Sequence, residues 1–578
     1  MLVLIVSFTF GWFQLFADEY KQLGKHTLGG AGFISNFLLW RESGYFDNAT
    51  ETKPLLHLWS LAIEEQFYIL WPLLLAFVWK RKWSFLAITV TIALISFSVN
   101  IYFIRNFYTI SGNSTAAFYS PATRFWELMI GGLLAYISLH KPSINSKYKN
   151  AQSFLGLIAL GLGLIVINRY KAFPGWWALL PTLGAFFLIS AGPNAWLNKK
   201  ILSNILFVWF GLISYPLYLW HWPLLSFARI VEVGSLSSGI RMVAILISIT
   251  LAWLTYKLIE KPIRFGKQCN AMTITLLVLM AVVGYMGYFC YKQDGFNGLG
   301  YRNQEKQEFL NYFENSLPKQ KYFTENEIPK KYRFECEFYD IEKEREGNVT
   351  RLPLTEIDKS CFERNTAFNK AVFIWGDSHA EQLYFGLKNN LPANWQILQV
   401  ASSGCKPNIN IKEPSTADYC DQSNWFALKT IRETKPDVVI IAQESGHNIK
   451  SINQITEKLK SSGIDKLIFT GPSPHWTTNL PKIILRKLWI NTPNRTYYGT
   501  DQKIISENKF LQNNFIQSDQ VYFVNLIDLF CNYDGCLTYI SNDRKTGITS
   551  WDYGHLTPIA SDYLAKRLLV DLIIKQHG

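Results

Sequence analysis

Charge is scarce in this 578-residue chain: Asp, Glu, Lys and Arg together make up 17% of it, where soluble domains carry roughly 25%. That shortage excludes a purely cytosolic enzyme. Acidic residues are the scarcer sign, 44 against 57 Lys and Arg, and the deficit is local. Up to residue 291 there are 10 acidic and 22 basic residues, which leaves 34 and 35 for the remainder. Nearly all of the net charge of +13 thus belongs to the first half. A nucleic-acid-binding protein would concentrate positive charge on a soluble face, so no nucleic acid is expected as a partner. Also lacking are a basic segment ahead of the first apolar run and a small-residue cleavage site behind it. That run reads as a retained span and not as a signal peptide.

What the chain has in abundance is apolar surface: 49% hydrophobic residues and 15% aromatic, with 20 Trp and 40 Phe. Apolar runs fall near 1–17, 57–79, 83–104, 124–139, 153–168, 176–192, 205–228, 239–258 and 271–291. Each approaches the length of a helix crossing roughly 30 Å of hydrocarbon with its backbone bonds satisfied internally. The expected fold class is therefore a multi-pass α-helical membrane bundle of about nine spans over residues 1–291, with the lipid bilayer as its first partner. Lys80, Arg81 and Lys82; Lys141, Lys147 and Lys149; Lys199 and Lys200; and Lys257, Lys261, Arg264 and Lys267 mark alternate loops as cytoplasmic. An odd number of spans then puts the C-terminal half on the far side of the membrane.

Polar side chains within these runs need a reason, because an unpaired polar group in hydrocarbon costs several kcal/mol. His57, Ser60, Glu64 and Tyr68 recur at steps of three or four, one stripe along a helix, with Glu65 beside them. Arg124 and Glu127 stand three apart, and His221 sits among aromatics in Tyr215-Pro216-Leu217-Tyr218-Leu219-Trp220-His221-Trp222-Pro223. Singly, each reads equally well as an interfacial anchor or half of a structural ion pair. Together they point to a polar cavity lined by His57, Glu64, Glu65, Arg124, Glu127 and His221.

The stretches LLHLWSLAIEEQFYILWPLLL, TRFWELMIGGLLAY and SYPLYLWHWPL closely resemble the signatures of the membrane acyltransferase-3 family, which acylates bacterial surface glycans. The resemblance covers most of residues 1–265. It implies an acyl group, usually acetyl from acetyl-CoA, moved from the cytoplasmic side toward the far side of the inner membrane. The family's catalytic His and nearby Arg residues lie in an earlier span that no segment here matches. The resemblance thus makes the membrane domain N-terminally incomplete by about two spans, and it carries His57 over only as a cavity residue.

Beyond the last span, charge returns and short apolar runs alternate with amphipathic stretches. Strands are expected at 371–376, 396–401, 437–442, 466–470 and 521–526, and helices at 379–390, 424–435, 450–462 and 557–575: an α/β domain with a parallel sheet over 366–578. Residues 292–365, weakly periodic, read as linker and cap. Catalytic groups of such sheets collect at the carboxyl ends of strands. Ser378, in Gly376-Asp377-Ser378-His379, lies there and opens a helix; Asp552 and His555 stand three apart just before the last helix. A Ser hydroxyl is inert at neutral pH without a base, and the base needs a carboxylate to hold its tautomer. Ser378, His555 and Asp552 fit nucleophile, general base and orienting group. Singly, each has a plainer reading: a strand-end turn, a surface histidine, a helix cap.

The joint arrangement resembles the SGNH (GDSL-like) hydrolase and acyltransferase family over about 365–575, in the form fused behind acyltransferase-3 membrane halves. That resemblance implies a serine acyl-enzyme, with Gly404 as one oxyanion donor; Gln443 or Asn448 would be the side-chain donor, though neither has the usual spacing. Six cysteines fall in the soluble half. Neighbouring pairs, Cys336 with Cys361, Cys405 with Cys420 and Cys531 with Cys536, are expected as disulfides of an oxidising compartment. Zinc at Cys531 and Cys536 is the alternative, but no His/Cys pair at metal-site spacing stands beside them. No metal and no bound cofactor are expected.

The leading expectation is an O-acyltransferase of the bacterial inner membrane, its C-terminal domain in the periplasm. Acetyl-CoA would be the acyl donor, and a glycan or lipid-linked glycan such as lipopolysaccharide O-antigen the acceptor. A membrane-anchored esterase removing acyl groups from a glycan is the alternative, and a transport or interaction protein the third.

Overall fold

The computed structural model describes residues 1–42, 50–105, 115–140, 148–168, 171–233, 236–266, 269–296, 304–313, 321–345, 350–411 and 418–575. Lys141, Lys147 and Lys267 of the basic loops lie outside them. The chain divides into two compact units, one of Met1–Ala228 with Leu236–Asn297, the other of Arg229–Ser235 with Gly298–Gly578.

Among the described residues the first unit contains helices and turns but no strand. Six helices among the described residues are long and apolar enough to cross a membrane: Leu58–Lys80, Phe85–Phe103, Lys149–Val166, Ile205–Glu232, Ser238–Phe265 and Ala271–Lys292. The other three apolar runs form helices that fall short of that description. Run 1–17 gives Leu2–Gln14, only 13 residues. Run 176–192 is divided between a 3-10 turn, Gly175–Ala178, and Leu179–Ala191. Run 124–139 lies in Pro121–His140, whose hydropathy Arg124 and Glu127 lower. In the six, only 17–22% of the apolar window is buried. Leu73, Leu164 and Ile205 are among many large side chains turned outward. Apolar surface on that scale is unfavourable in water and favourable against lipid.

Without a hydrophobic driving force between helices in lipid, close backbone packing and buried hydrogen bonds must hold such a bundle. Gly24 and Gly287 supply the packing: a Cβ on either would come within 2.8 Å of the other's carbonyl oxygen. Asn100 supplies bonds, donating to the Gly175 carbonyl and accepting the Gly175 N–H. Ser96 Oγ does the same, donating to Ala122 and accepting from the Trp126 N–H.

The second unit is built on a five-stranded, all-parallel sheet: β1 Lys370–Gly376, β2 Trp395–Ala401, β3 Val438–Ala442, β4 Leu467–Thr470 and β6 Val521–Val524, in the order β2-β1-β3-β4-β6. A small antiparallel sheet holds β5 Arg495–Thr496, β7 Cys531–Asn532 and β8 Gly535–Leu537. The central strands, such as VVIIA in β3, are buried on both faces, which is why they read as continuous apolar runs. Helices Tyr419–Thr434, Ile449–Ser461 and Gln502–Asn514 connect strands, as parallel pairing requires.

Residues 321–345 and 350–362 fold onto the sheet through short elements. Arg333 donates to the Ile397 carbonyl at the β2 edge, Gln399 donates to the Tyr332 carbonyl, and Cys336 is bonded to Cys361. Cys405–Cys420 and Cys531–Cys536 are the other disulfides. The Cys336–Cys361 link closes a separation of 25 residues, so replacing both by Ser is expected to cost about 3 kcal/mol. The measurement is the urea midpoint of the sheet unit, followed by tryptophan fluorescence, which should fall.

Candidate active site

The site forms where β1 and β3 end side by side, Gly376 paired with Ala442. The strands come so close that a Cβ on Gly376 would lie 1.8 Å from the Ala442 carbonyl oxygen. Only glycine fits, and the chain can then turn at once into the short helix Ser378–Glu381. Asp377 fastens the turn: one carboxylate oxygen caps that helix at the His379 N–H, 2.9 Å away, and the other accepts the Glu444 N–H at 2.8 Å. Burial pushes the Asp377 carboxyl up to about 7 against the pull of these two N–H groups.

Ser378, so presented, faces a loop from the other end of the domain. His555 Nε2 lies 2.8 Å from Ser378 Oγ, and His555 Nδ1 lies 2.6 Å from an oxygen of Asp552. The second Asp552 oxygen accepts the Gly554 and His555 N–H groups, both at 2.8 Å. An ionised carboxylate only accepts, so Nδ1 carries the ring proton and Nε2 is left to receive the Ser378 hydroxyl proton. All three side chains are buried. Burial works against a charged imidazolium, but the neighbouring Asp552 charge and its hydrogen bond prevail, and the His555 pKa is raised above its usual value.

Around this chain stands a shell of groups that the sequence did not single out. The indole of Trp551 stacks on the His555 ring, centroids 5.2 Å apart. Gln382 accepts the Leu556 N–H at 2.7 Å and so fixes the loop just beyond His555. Ser473 Oγ donates to the Gly554 carbonyl and lies 3.2 Å from His379 Nδ1. The His379 ring lies against that of His555, centroids 4.5 Å apart, and His475 lies 5.2 Å from His379. Burial, and for His379 the neighbouring His555, depress both: His475 to about 4, His379 well below its usual value. These two rings are therefore neutral, and His555 alone of the three is set up to take a proton. The His directly after Ser378 was the one visible signal; His475 had none.

The three oxyanion candidates are placed differently. Gly404, at positive φ, lies in the turn after β2, where Ser402 N–H donates to the Gly376 carbonyl, beside the start of the Ser378 helix. The Gln443 amide donates to the Ser445 carbonyl, and Asn448 caps the helix Ile449–Ser461. The geometry brings neither into the hydrogen-bonded chain around Ser378; both line a neighbouring cavity.

In the first unit, His57, His221 and Tyr218 converge, the two imidazole centroids 6.1 Å apart. Tyr218 donates to the His57 carbonyl and lies 2.6 Å from Ser60 Oγ. Arg124 and Glu127 form an ion pair at 3.0 Å, with the guanidinium 5.4 Å from the Trp59 ring centre. Glu64 and Glu65 are half-buried on the helix Leu58–Lys80, which begins directly after His57. A cluster not foreseen joins Lys25, His26 and Lys53 to the Glu42 carboxylate at 2.8–2.9 Å. Among the described residues no group of three or more His, Cys, Asp or Glu is arranged to hold a metal ion.

Residues 1–257 match a family profile described as an acyltransferase domain, and residues 347–569 one described as an SGNH domain fused to AT3 domains. Similar curated proteins include "Putative peptidoglycan O-acetyltransferase YrhL" of Bacillus subtilis (strain 168), 30% identical over 281 residues, 45% of this chain and 43% of that one. O-acetyltransferase OatA of Staphylococcus aureus (strain NCTC 8325 / PS 47) is 26% identical over 290 residues, 46% of this chain and 48% of that one. The match thus spans under half the length of these relatives. The solved periplasmic domain of a lipopolysaccharide acetyltransferase of Salmonella ser. Paratyphi A, 23% identical, aligns over 45% of this chain and 99% of its own, with a TM-score of 0.37, too low to carry an argument. The two profile matches, one over the helical unit and one over the sheet unit, join an acyltransferase domain of the acyltransferase-3 type at residues 1–257 to an SGNH domain of the kind fused to such domains at residues 347–569.

Proposed function

We propose that the chain is an O-acyltransferase of the bacterial inner membrane that moves acetyl from acetyl-CoA to a hydroxyl of a surface polysaccharide such as lipopolysaccharide O-antigen. The observation that carries this reading is the Ser378–His555–Asp552 hydrogen-bonded chain, at the strand ends of a domain that follows a membrane acyltransferase domain. The helical unit crosses the membrane about nine times and delivers the acyl group. The sheet unit works in the periplasm, a compartment that its three disulfides suit.

In the first step Ser378 Oγ attacks the acyl carbon while its proton passes to His555 Nε2. The departing carrier group takes that proton as the tetrahedral adduct collapses to a serine ester. In the second, a sugar hydroxyl gives its proton to Nε2 and its oxygen attacks the ester carbon; Ser378 leaves and recovers the proton. Splitting the transfer lowers each barrier. Asp552 holds the ring in register and stabilises the imidazolium formed in both steps.

Replacing Ser378 by Ala should abolish acetylation of the polysaccharide, measured as acetyl signals in proton NMR of the purified glycan; undiminished acetylation removes this domain from the mechanism. The reaction needs a neutral His555, whose pKa Asp552 raises above 6.5. Activity should therefore climb with pH through a midpoint above 6.5. Asp552→Asn should move that midpoint down and slow the reaction by roughly 10⁴-fold, which a pH–rate profile would reveal.

A further inference from the structure

We propose that the cavity at the carboxyl ends of β3 and β4, whose Gln443 directly follows the Ala442 paired with Gly376, holds a pyranose ring of the acceptor glycan. The inference rests on the acyltransferase reading and adds to it the place where the acceptor binds.

The cavity has a volume of about 360 Å³, within the range of roughly 300–1,000 Å³ common for small-ligand sites. Ile441, Ile452 and Phe469 supply an apolar wall, while Lys406, Gln443, Asn448 and Ser451 supply polar groups. The Ser451 hydroxyl and the Lys406 ammonium make no hydrogen bond or ion pair among the described residues, and Asn448 uses only its amide oxygen, to cap the helix behind it. Gln443 spends its amide N–H on Ser445 and keeps its oxygen. Donors and acceptors in such a mixture, beside an apolar face, match a sugar ring, which presents hydroxyls at its edge and C–H groups on its face. An acyl chain in the same place would leave these polar groups unpaired, and that is costly.

The walls are held in place before any ligand arrives. His447 Nδ1 lies 2.7 Å from a Glu507 carboxylate oxygen that also accepts the His447 backbone N–H, and Nε2 faces the Thr470 carbonyl at 3.2 Å. Burial opposes the Glu507 charge, yet these bonds from His447 bring its carboxyl down to about 2. The neighbouring turn is equally constrained. Gly446 lets Lys406 approach so closely that a Cβ there would lie 2.8 Å from Nζ. Ala442, just before Gln443, pairs with Gly376, and Glu444 N–H is held by Asp377, the residue ahead of Ser378. A sugar in the cavity thus lies against the loop that Asp377 ties to the Ser378 turn, and on this proposal the reacting hydroxyl belongs to the same or the adjoining ring.

The test uses the full chain in lipid nanodiscs with Ser378→Ala, so that nothing turns over. The probe is surface polysaccharide from the producing cell, de-O-acetylated with mild base. Ser451→Phe, which fills the cavity, and Lys406→Ala, which trims its edge, should each weaken binding at least tenfold, with circular dichroism confirming the fold. Binding within twofold of the parent for both variants, or no binding by the parent, overturns the proposal. The transferase reading fails by a different measurement, persistent acetylation in cells carrying Ser378→Ala, so the two failures are told apart.

Discussion

A carboxylate as deeply buried as that of Asp552 has to be met by donors on every side, and most of the sheet unit's active corner follows from that requirement. Two backbone N–H groups and the His555 ring nitrogen supply them. Those donors exist only if the chain from Asp552 to His555 takes one tight path, and the path is braced by Gln382 at Leu556 and by Ser473 at the Gly554 carbonyl. Burial of one charge therefore dictates where the imidazole stands, which nitrogen is protonated, and that its free lone pair meets Ser378. On the opposite side Asp377 does comparable work for the nucleophile, joining the ends of β1 and β3. Two buried acids, one on each side, set the distance between hydroxyl and base.

The sequence revealed features that are local along the chain. Gly376-Asp377-Ser378 and Asp552 to His555 each span a few residues, so their chemistry shows in a short window, and the strands behind them announce themselves as unbroken apolar runs. What depends on long-range contact was hidden. His475 reaches the site through a loop with no periodicity, and Gln382 leaves the helical stretch expected over 379–390, which divides into Ser378–Glu381 and Tyr384–Asn390. Helix Gln502–Asn514 buries only Ile504, Asn508 and Leu511, too sparse an apolar stripe to recognise. The small sheet is made of strands two or three residues long, below the length at which alternation can be read.

In the helical unit the same contrast holds. Apolar runs told where helices lie, because in lipid each must satisfy its own backbone. They did not tell which polar groups meet. Glu42 gathers Lys25 and His26 from one helix and Lys53 from another segment, and none of these stands out alone. The stripe of His57 and Ser60 was legible by its helical spacing; its partner Tyr218, 158 residues from Ser60, was not.

Tyr332 has an effect out of proportion to its place in a poorly patterned segment. Its hydroxyl donates to the Leu556 carbonyl and receives the Trp551 indole N–H, while its own carbonyl is held by Gln399 of β2. The two residues flanking the loop of the catalytic imidazole are thus hung from a strut anchored at the far edge of the sheet. A chimera that grafts only the residues from β1 onward behind another membrane bundle would carry all three members of the charge chain and leave behind the beam that suspends one of them.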